Sequence, residues 1–178
     1  VKHVSEGTGK GNTDKSLVNN ISELRKMIEW ILKEFNQPAL VEEYLPGREF
    51  TVGITGSGNK AIAIGGMEVI TVDNLPYSVH VKENYHDYCK YVPLAEDIAD
   101  ECKDVAVKAW KALGAVDGGR VDIKADRNGK ICFIEANPLA GLNPVHSDLP
   151  ILGRMYNIDY QKLLEMIMAS AISRITQV

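Results

Sequence analysis

The stretch from Arg120 to Asn137, RVDIKADRNGKICFIEAN, restricts this chain more than any other. Asn128-Gly129 is a two-residue hairpin signal, because both central positions can take positive φ. Counting outward pairs Arg127 with Lys130, Asp126 with Ile131, Asp122 with Glu135 and Arg120 with Asn137. Alternation then sends Val121, Ile123, Ile134 and Ala136 one way and Arg120, Asp122, Glu135 and Asn137 the other. Two carboxylates face each other across the strands, where like charges repel unless a cation lies between them. Asp, Glu and Asn together offer oxygen donors, a set that suits Mg²⁺ shared with substrate phosphates. A solvated outer face satisfies the same pattern, and the hairpin alone leaves both readings open. Phe133 on the polar face, with the apolar run Ile131 to Ile134, predicts that both faces are covered.

The rest of the composition narrows the partners. A net charge of −4 leaves no electrostatic footprint for nucleic acid or an anionic membrane. No apolar run approaches the roughly 20 residues of a membrane-spanning helix. Cys89, Cys102 and Cys132 are odd in number and far apart, which favours free thiols in a reducing, cytoplasmic setting. The four histidines have no zinc-ligand spacing.

Ahead of the hairpin, Val1-Lys2-His3 reads as the end of a strand. It runs into Ser5-Glu6-Gly7-Thr8-Gly9-Lys10-Gly11, which is either a phosphate-cradling loop or a flexible linker. Asn20 to Phe35 is an amphipathic helix with Ile21, Leu24, Met27, Ile28, Ile31, Leu32 and Phe35 on one face and Asn20-Glu23 as a capping box. Ala39-Leu40-Val41 reads as a short buried strand, and Pro46-Gly47 as a turn between two lobes. Phe50 to Thr55 and Lys60 to Gly65 form a hairpin, and Met67 to Val72 a separate strand. Leu75 to Pro93 is irregular and tyrosine-rich. Asp97 to Leu113 is a second helix, with Ile98, Cys102, Val105, Ala106, Ala109, Trp110 and Leu113 inward and Gly114 closing it. Pro138 to Pro150 is a long loop. Tyr160 to Ile175 is the last helix, turning Leu163, Leu164, Ile167, Met168, Ala171, Ile172 and Ile175 inward. Hairpins rather than crossovers point to an α+β fold with an antiparallel sheet.

Three stretches in this order, VKHVSEGTGKG, VEEYLPGREFTVGI and RVDIKADRNGKICFIEANPLAGLNP, resemble the ATP-grasp ligases, most closely the D-alanine–D-alanine ligases. The resemblance implies an ATP-grasp fold and an ATP-dependent ligase forming a C–N bond through an acylphosphate, with Mg²⁺ or Mn²⁺ as its metal. By motif position it implies that Lys2, Glu6, Gly7, Thr8, Gly9 and Lys90 surround the ATP phosphates. Glu42, Glu43, Tyr44 and Leu45 would hold adenine through their backbone, and Glu49 the ribose. Asp122, Glu135 and Asn137 match the metal ligands, and Arg120 the arginine that stabilises the intermediate. Gly141 resembles the glycine whose N–H faces the oxyanion, Ser147 the serine that holds the acceptor carboxylate, and Tyr91 the tyrosine beside it.

The resemblance also implies amino-acid substrates and a homodimeric full-length protein. It places residues 1–45 in the remnant of a first lobe and residues 46–178 in a C-terminal lobe, with a first-substrate domain expected upstream. The chain departs from the pattern at His3, usually proline, at Thr8, usually serine, and between Gly141 and Ser147, where there is one residue more. The last of these bears on the acceptor, so another amino-acid or carboxylate acceptor is the alternative, with a non-catalytic nucleotide-binding fragment as the remaining one.

Overall fold

A computed structural model of the chain describes residues 1–5, 13–71 and 89–176. Glu6, Gly7, Thr8 and Gly9 of the glycine-rich loop lie outside the described residues, as does most of the tyrosine-rich stretch. The chain divides into two compact units, one of residues 1–44 and 71–90, the other of residues 45–70 and 91–178.

In the first unit, β1 (Lys2–His3) pairs antiparallel with β2 (Ala39–Leu40) beside α1 (Ile21–Phe35). The Asn20 side chain accepts from the Glu23 N–H at 3.0 Å, and Glu23 reaches back to the Asn19 N–H at 2.8 Å, so the cap forms one residue wider than a strict capping box. Met27 and Ile31 are buried, but Ile21 and Leu32 are exposed. The expected buried strand at 39–41 is two residues long, and Leu40 and Val41 are exposed. Two paired residues per strand make a ladder too short to bury both of its faces.

The second unit is built on a five-stranded sheet in the order β5-β4-β3-β6-β7. Its strands are β3 (Glu49–Thr55), β4 (Ile62–Thr71), β5 (Cys89–Pro93), β6 (Gly118–Ala125) and β7 (Ile131–Asn137). The β3–β4, β3–β6 and β6–β7 pairings are antiparallel. The two strands expected at 60–65 and 67–72 are one, β4. Gly65-Gly66 looks like a break but is a packing site. A Cβ on Gly65 would lie 2.3 Å from the Tyr156 ring, and one on Gly66 would lie 2.3 Å from Leu94.

Strand β6 alternates strictly between partly exposed and buried positions, as its sequence requires. Phe50, Val52, Ile54, Val121, Ile123, Ala125 and Ile131 face α2 (Glu96–Ala112), which contributes Cys102, Ala106 and Trp110. Helix α2 ends as its glycine predicts: Gly114 takes φ 64, and the N–H groups of Gly114 and Ala115 bond the Lys111 and Trp110 carbonyls. On the opposite side, α3 (Asp148–Met155) and α4 (Tyr160–Ile175) bury Leu149, Leu152 and Leu163 against Ile64 and Met67.

Helix α3 stands where the sequence reading expects a loop running to Pro150. Pro150 falls in the first turn of α3, where its missing N–H costs nothing. Met168, Ile172 and Ile175, expected inward, are exposed. Helix α4 is instead turned so that Leu163 is buried, with Met166 and Ile167 packed beside it. Ser170 of α4 donates to Asp117, which Arg174 also grips at 2.9 and 2.5 Å.

Burial pushes the Cys102 thiol up to about 11, with Glu101 adding to the rise. An alkylating reagent at pH 8 is therefore expected to label the half-exposed Cys132 and spare Cys102 until the protein is unfolded. Peptide mapping by mass spectrometry reads the outcome, and modification of native Cys102 at the rate of Cys132 would contradict this packing.

Candidate active site

The turn between β6 and β7 is not the two-residue type. The Asp126 N–H donates to the Lys130 carbonyl at 2.9 Å, so Arg127, Asn128 and Gly129 form a three-residue loop. Of these only Gly129 takes positive φ, at 86°. The cause is Asp126, whose side chain accepts from the N–H groups of Asn128 at 2.7 Å and Lys130 at 3.0 Å.

The register leaving this loop pairs Ala125 with Ile131 and Ile123 with Phe133, one residue off the expected count. Continued, it would set Asp122 against Ile134. A bulge between Asp122 and Ile123 absorbs Ile134 and restores Asp122 opposite Glu135 and Arg120 opposite Asn137. Phe133 is therefore not on the carboxylate face as expected. It pairs with Ile123 on an edge strand and is exposed.

Two antiparallel registers then build a polar surface. Glu49 pairs with Lys124 and Lys124 with Cys132; Thr51 with Asp122 and Asp122 with Glu135; Gly53 with Arg120 and Arg120 with Asn137. Thr51 Oγ1 donates to Asp122 Oδ1 at 2.8 Å. Asn137 Nδ2 lies 3.1 Å from Asp122 Oδ2 and 3.4 Å from Glu135 Oε1. Arg120 Nε lies 3.3 Å from Asp122 Oδ1, and its Nη1 lies 2.8 Å from Asp148 Oδ2. The Tyr91 hydroxyl donates to Asp148 Oδ1 at 3.1 Å. The Arg120 side chain is 14% exposed and those of Asp122 and Asp148 13% each, so these charges are largely out of water.

The donor set fits a hard cation. The Asn137 amide puts its positive end between two carboxylates, where a cation would also be held. Half a turn of that amide would present Oδ1 instead, making a third oxygen donor. Among the described residues no group of three or more His, Cys, Asp or Glu side chains is arranged for a metal. Two carboxylates and one amide form an open site, the kind Mg²⁺ completes with substrate phosphates and water.

The other expected site residues fall as follows. Lys2 pairs with Glu42 at 2.7 Å within the first unit. Glu43, Tyr44 and Lys90 are exposed and Leu45 is partly exposed. Glu49 pairs with Lys124 at 3.1 Å. Gly141 and Ser147 come together: a Cβ on Gly141 would lie 2.7 Å from Ser147 Oγ, which accepts from the Asn143 N–H at 3.0 Å. Thr51, Lys124 and Asp148 were not anticipated. Glu49 and Thr51 alternate with Phe50 and Val52, a pattern that marks their face once β3 is laid beside β6. Asp148 is an acid in the first turn of a helix the sequence reading did not anticipate.

A family model described as D-ala D-ala ligase C-terminus matches residues 1–169. The chain belongs to the D-alanine–D-alanine ligase family. It is 32% identical over 166 residues to the D-alanine–D-alanine ligase of Lacticaseibacillus casei, an alignment covering 92% of this chain and 44% of that protein. Among solved structures, the D-alanine–D-alanine ligase of Coxiella burnetii superposes with a TM-score of 0.76 at 21% identity, over 99% of this chain and 45% of that one. The Bacillus anthracis enzyme complexed with ATP does so with a TM-score of 0.69 at 22% identity, over 90% and 50%. The fold is thus the ATP-grasp fold of these ligases, α+β with an antiparallel sheet. The chain spans about half the length of the curated relatives it matches. Among the described residues no helix is long and apolar enough to cross a membrane.

Proposed function

We propose that the full-length protein carrying this chain is an ATP-dependent carboxylate–amine ligase of the D-alanine–D-alanine type. The observation that carries this reading is the row Thr51, Asp122 and Glu135 beside Arg120 and Asn137 on one sheet face. One substrate carboxylate attacks the γ-phosphoryl of ATP, giving an acylphosphate and ADP. The amine of the second amino acid then attacks the acyl carbon, and phosphate leaves.

Mg²⁺, or Mn²⁺ in its place, held by Asp122, Glu135 and Asn137 would neutralise charge on the transferring phosphoryl group. The Arg120 guanidinium and the Gly141 N–H stabilise the oxyanion of the tetrahedral intermediate. Ser147 holds the acceptor carboxylate, and Tyr91 lies beside the acceptor. Lys2, Lys90 and the loop Glu6 to Gly9 bind phosphates.

Residues Glu42 to Leu45 read adenine by their backbone, with residues 1–45 the remnant of a first lobe and residues 46–178 the C-terminal lobe. In support, among the described residues none of these four makes a backbone–backbone hydrogen bond. Glu49 accepts from the ribose hydroxyls. Glu49→Ala is expected to raise KM for ATP several-fold with a smaller change in kcat, the mark of lost uniform binding. An unchanged KM would remove Glu49 from the nucleotide site.

A second reading keeps the chemistry and changes the acceptor. The departure from the resembled pattern between Gly141 and Ser147, one residue more in GLNPVHS, favours this reading. ATP as substrate implies a cytoplasmic protein, and the family resemblance supports a homodimer. The test is ADP release by the full-length protein against a panel of amino acids. D-alanine as the best substrate pair supports the first reading, and another acceptor the second. No ADP release with any amino acid would overturn both.

A further inference from the structure

We propose that Asp148 is a positioning residue that holds Arg120 and Tyr91 in one fixed arrangement. This rests on the ligase reading above. One carboxylate touches both side chains: Oδ2 lies 2.8 Å from Arg120 Nη1, and Oδ1 accepts from the Tyr91 hydroxyl at 3.1 Å.

The lengths decide which carboxylate sets the arginine. Arg120 Nε lies 3.3 and 3.5 Å from the two oxygens of Asp122, long for a charge-assisted bond. The contact with Asp148 has the normal length. Asp122 also accepts from Thr51 and Asn137, so its oxygens are shared. Of these two carboxylates, the one at the shorter distance constrains the guanidinium more. Turned away from Asp148, it can swing toward Asp122 and leave the place where the oxyanion develops.

Asp148 itself is held firmly. It opens α3, whose next residues Leu149, Pro150 and Leu152 are buried against the sheet. A negative charge there is also favoured by the exposed N–H groups of the first turn. The bond from Tyr91 has a second consequence. The hydroxyl proton is directed to Asp148, which fixes the orientation of the phenol oxygen beside the second amino acid. Asp148 thereby acts on both partners of the second step without touching the substrate: on the oxyanion through Arg120 and on the nucleophile through Tyr91. Its neighbour Ser147 is placed by the same turn of chain.

The test uses Asp148→Asn and Asp148→Glu in the full-length protein. Asn keeps the size and removes the charge, and Glu restores the charge at a shifted position. Asp148→Asn is expected to lower kcat about 100-fold, the scale of a misplaced catalytic group. KM for the second amino acid should rise, with KM for ATP and the melting temperature near wild type, and Asp148→Glu should recover part of kcat. Combined with Tyr91→Phe, the losses should fall well short of additive.

Wild-type kcat and acceptor KM in Asp148→Asn would overturn the proposal, as would full additivity with Tyr91→Phe. A readout without turnover separates this from the ligase reading. The Arg120 side-chain NMR signals, assigned by Arg120→Lys, should show restricted guanidinium rotation in wild type and faster rotation in Asp148→Asn. Unchanged rotation would overturn the positioning role. A wild type that forms no ADP, with rotation still dependent on Asp148, would overturn the ligase reading and leave the positioning role standing.

Discussion

Replacing Trp110 by alanine is expected to cost about 3–5 kcal/mol, the usual range for deleting a buried large aromatic. Its side chain is fully buried, and its indole Nε1 donates to the Gly56 carbonyl at 3.1 Å. The fit extends to the sheet, since a Cβ on Gly119 would come within 2.7 Å of the Trp110 ring. Gly119 immediately precedes Arg120, so this contact sets the entry of β6 into the site. Trp110→Phe keeps most of the burial and loses the hydrogen bond, so about 1 kcal/mol of the cost should trace to that bond. Urea unfolding followed by far-UV circular dichroism measures both variants. A loss below about 1 kcal/mol for the alanine variant would mean that α2 does not seal this face.

Glu135→Gln should act in the opposite sense on activity and stability. It removes one of two carboxylates paired across β6 and β7. In the full-length protein, turnover is expected to fall at least about 100-fold, the scale set by loss of one preorganised electrostatic partner of the transition state. Stability should hold or rise by up to about 1 kcal/mol, because a like-charge cross-strand pair is relieved. Added Mg²⁺ should raise the melting temperature of wild type more than that of the variant. Full activity in Glu135→Gln would remove the metal assignment. Lost activity with a large drop in melting temperature would instead make Glu135 a structural residue.

Much of this architecture could be read from residue order. Alternation in β6 located the buried residues and the polar face, because a strand's side-chain period does not depend on its neighbours. Helices α1, α2 and α4 followed from apolar spacing and caps within a residue or two of their ends. The pairing of Asp122 with Glu135 also emerged, although through a count that was wrong at the turn. The Asp126 side chain lengthened the loop by one residue, and the bulge at Ile134 took that residue back. Two errors cancelled because both carboxylates lie beyond the bulge.

What residue order could not decide was which polar groups meet. Nothing in the sequence links Thr51 to Asp122 or Asp148 to Arg120, because β3 and α3 reach the site only through the sheet order and the packing of α3 on its face. The same holds for the buried face of α4. Its apolar residues spread around the helix, and the side that turns inward is the one that fits the Ile64–Met67 surface while Ser170 and Arg174 reach Asp117. Local periodicity settles where side chains point relative to their own strand or helix. Arg120 comes to lie between two carboxylates only when α3 brings Asp148 to a strand that already carries Asp122, a meeting set by burial energies that neither segment carries alone.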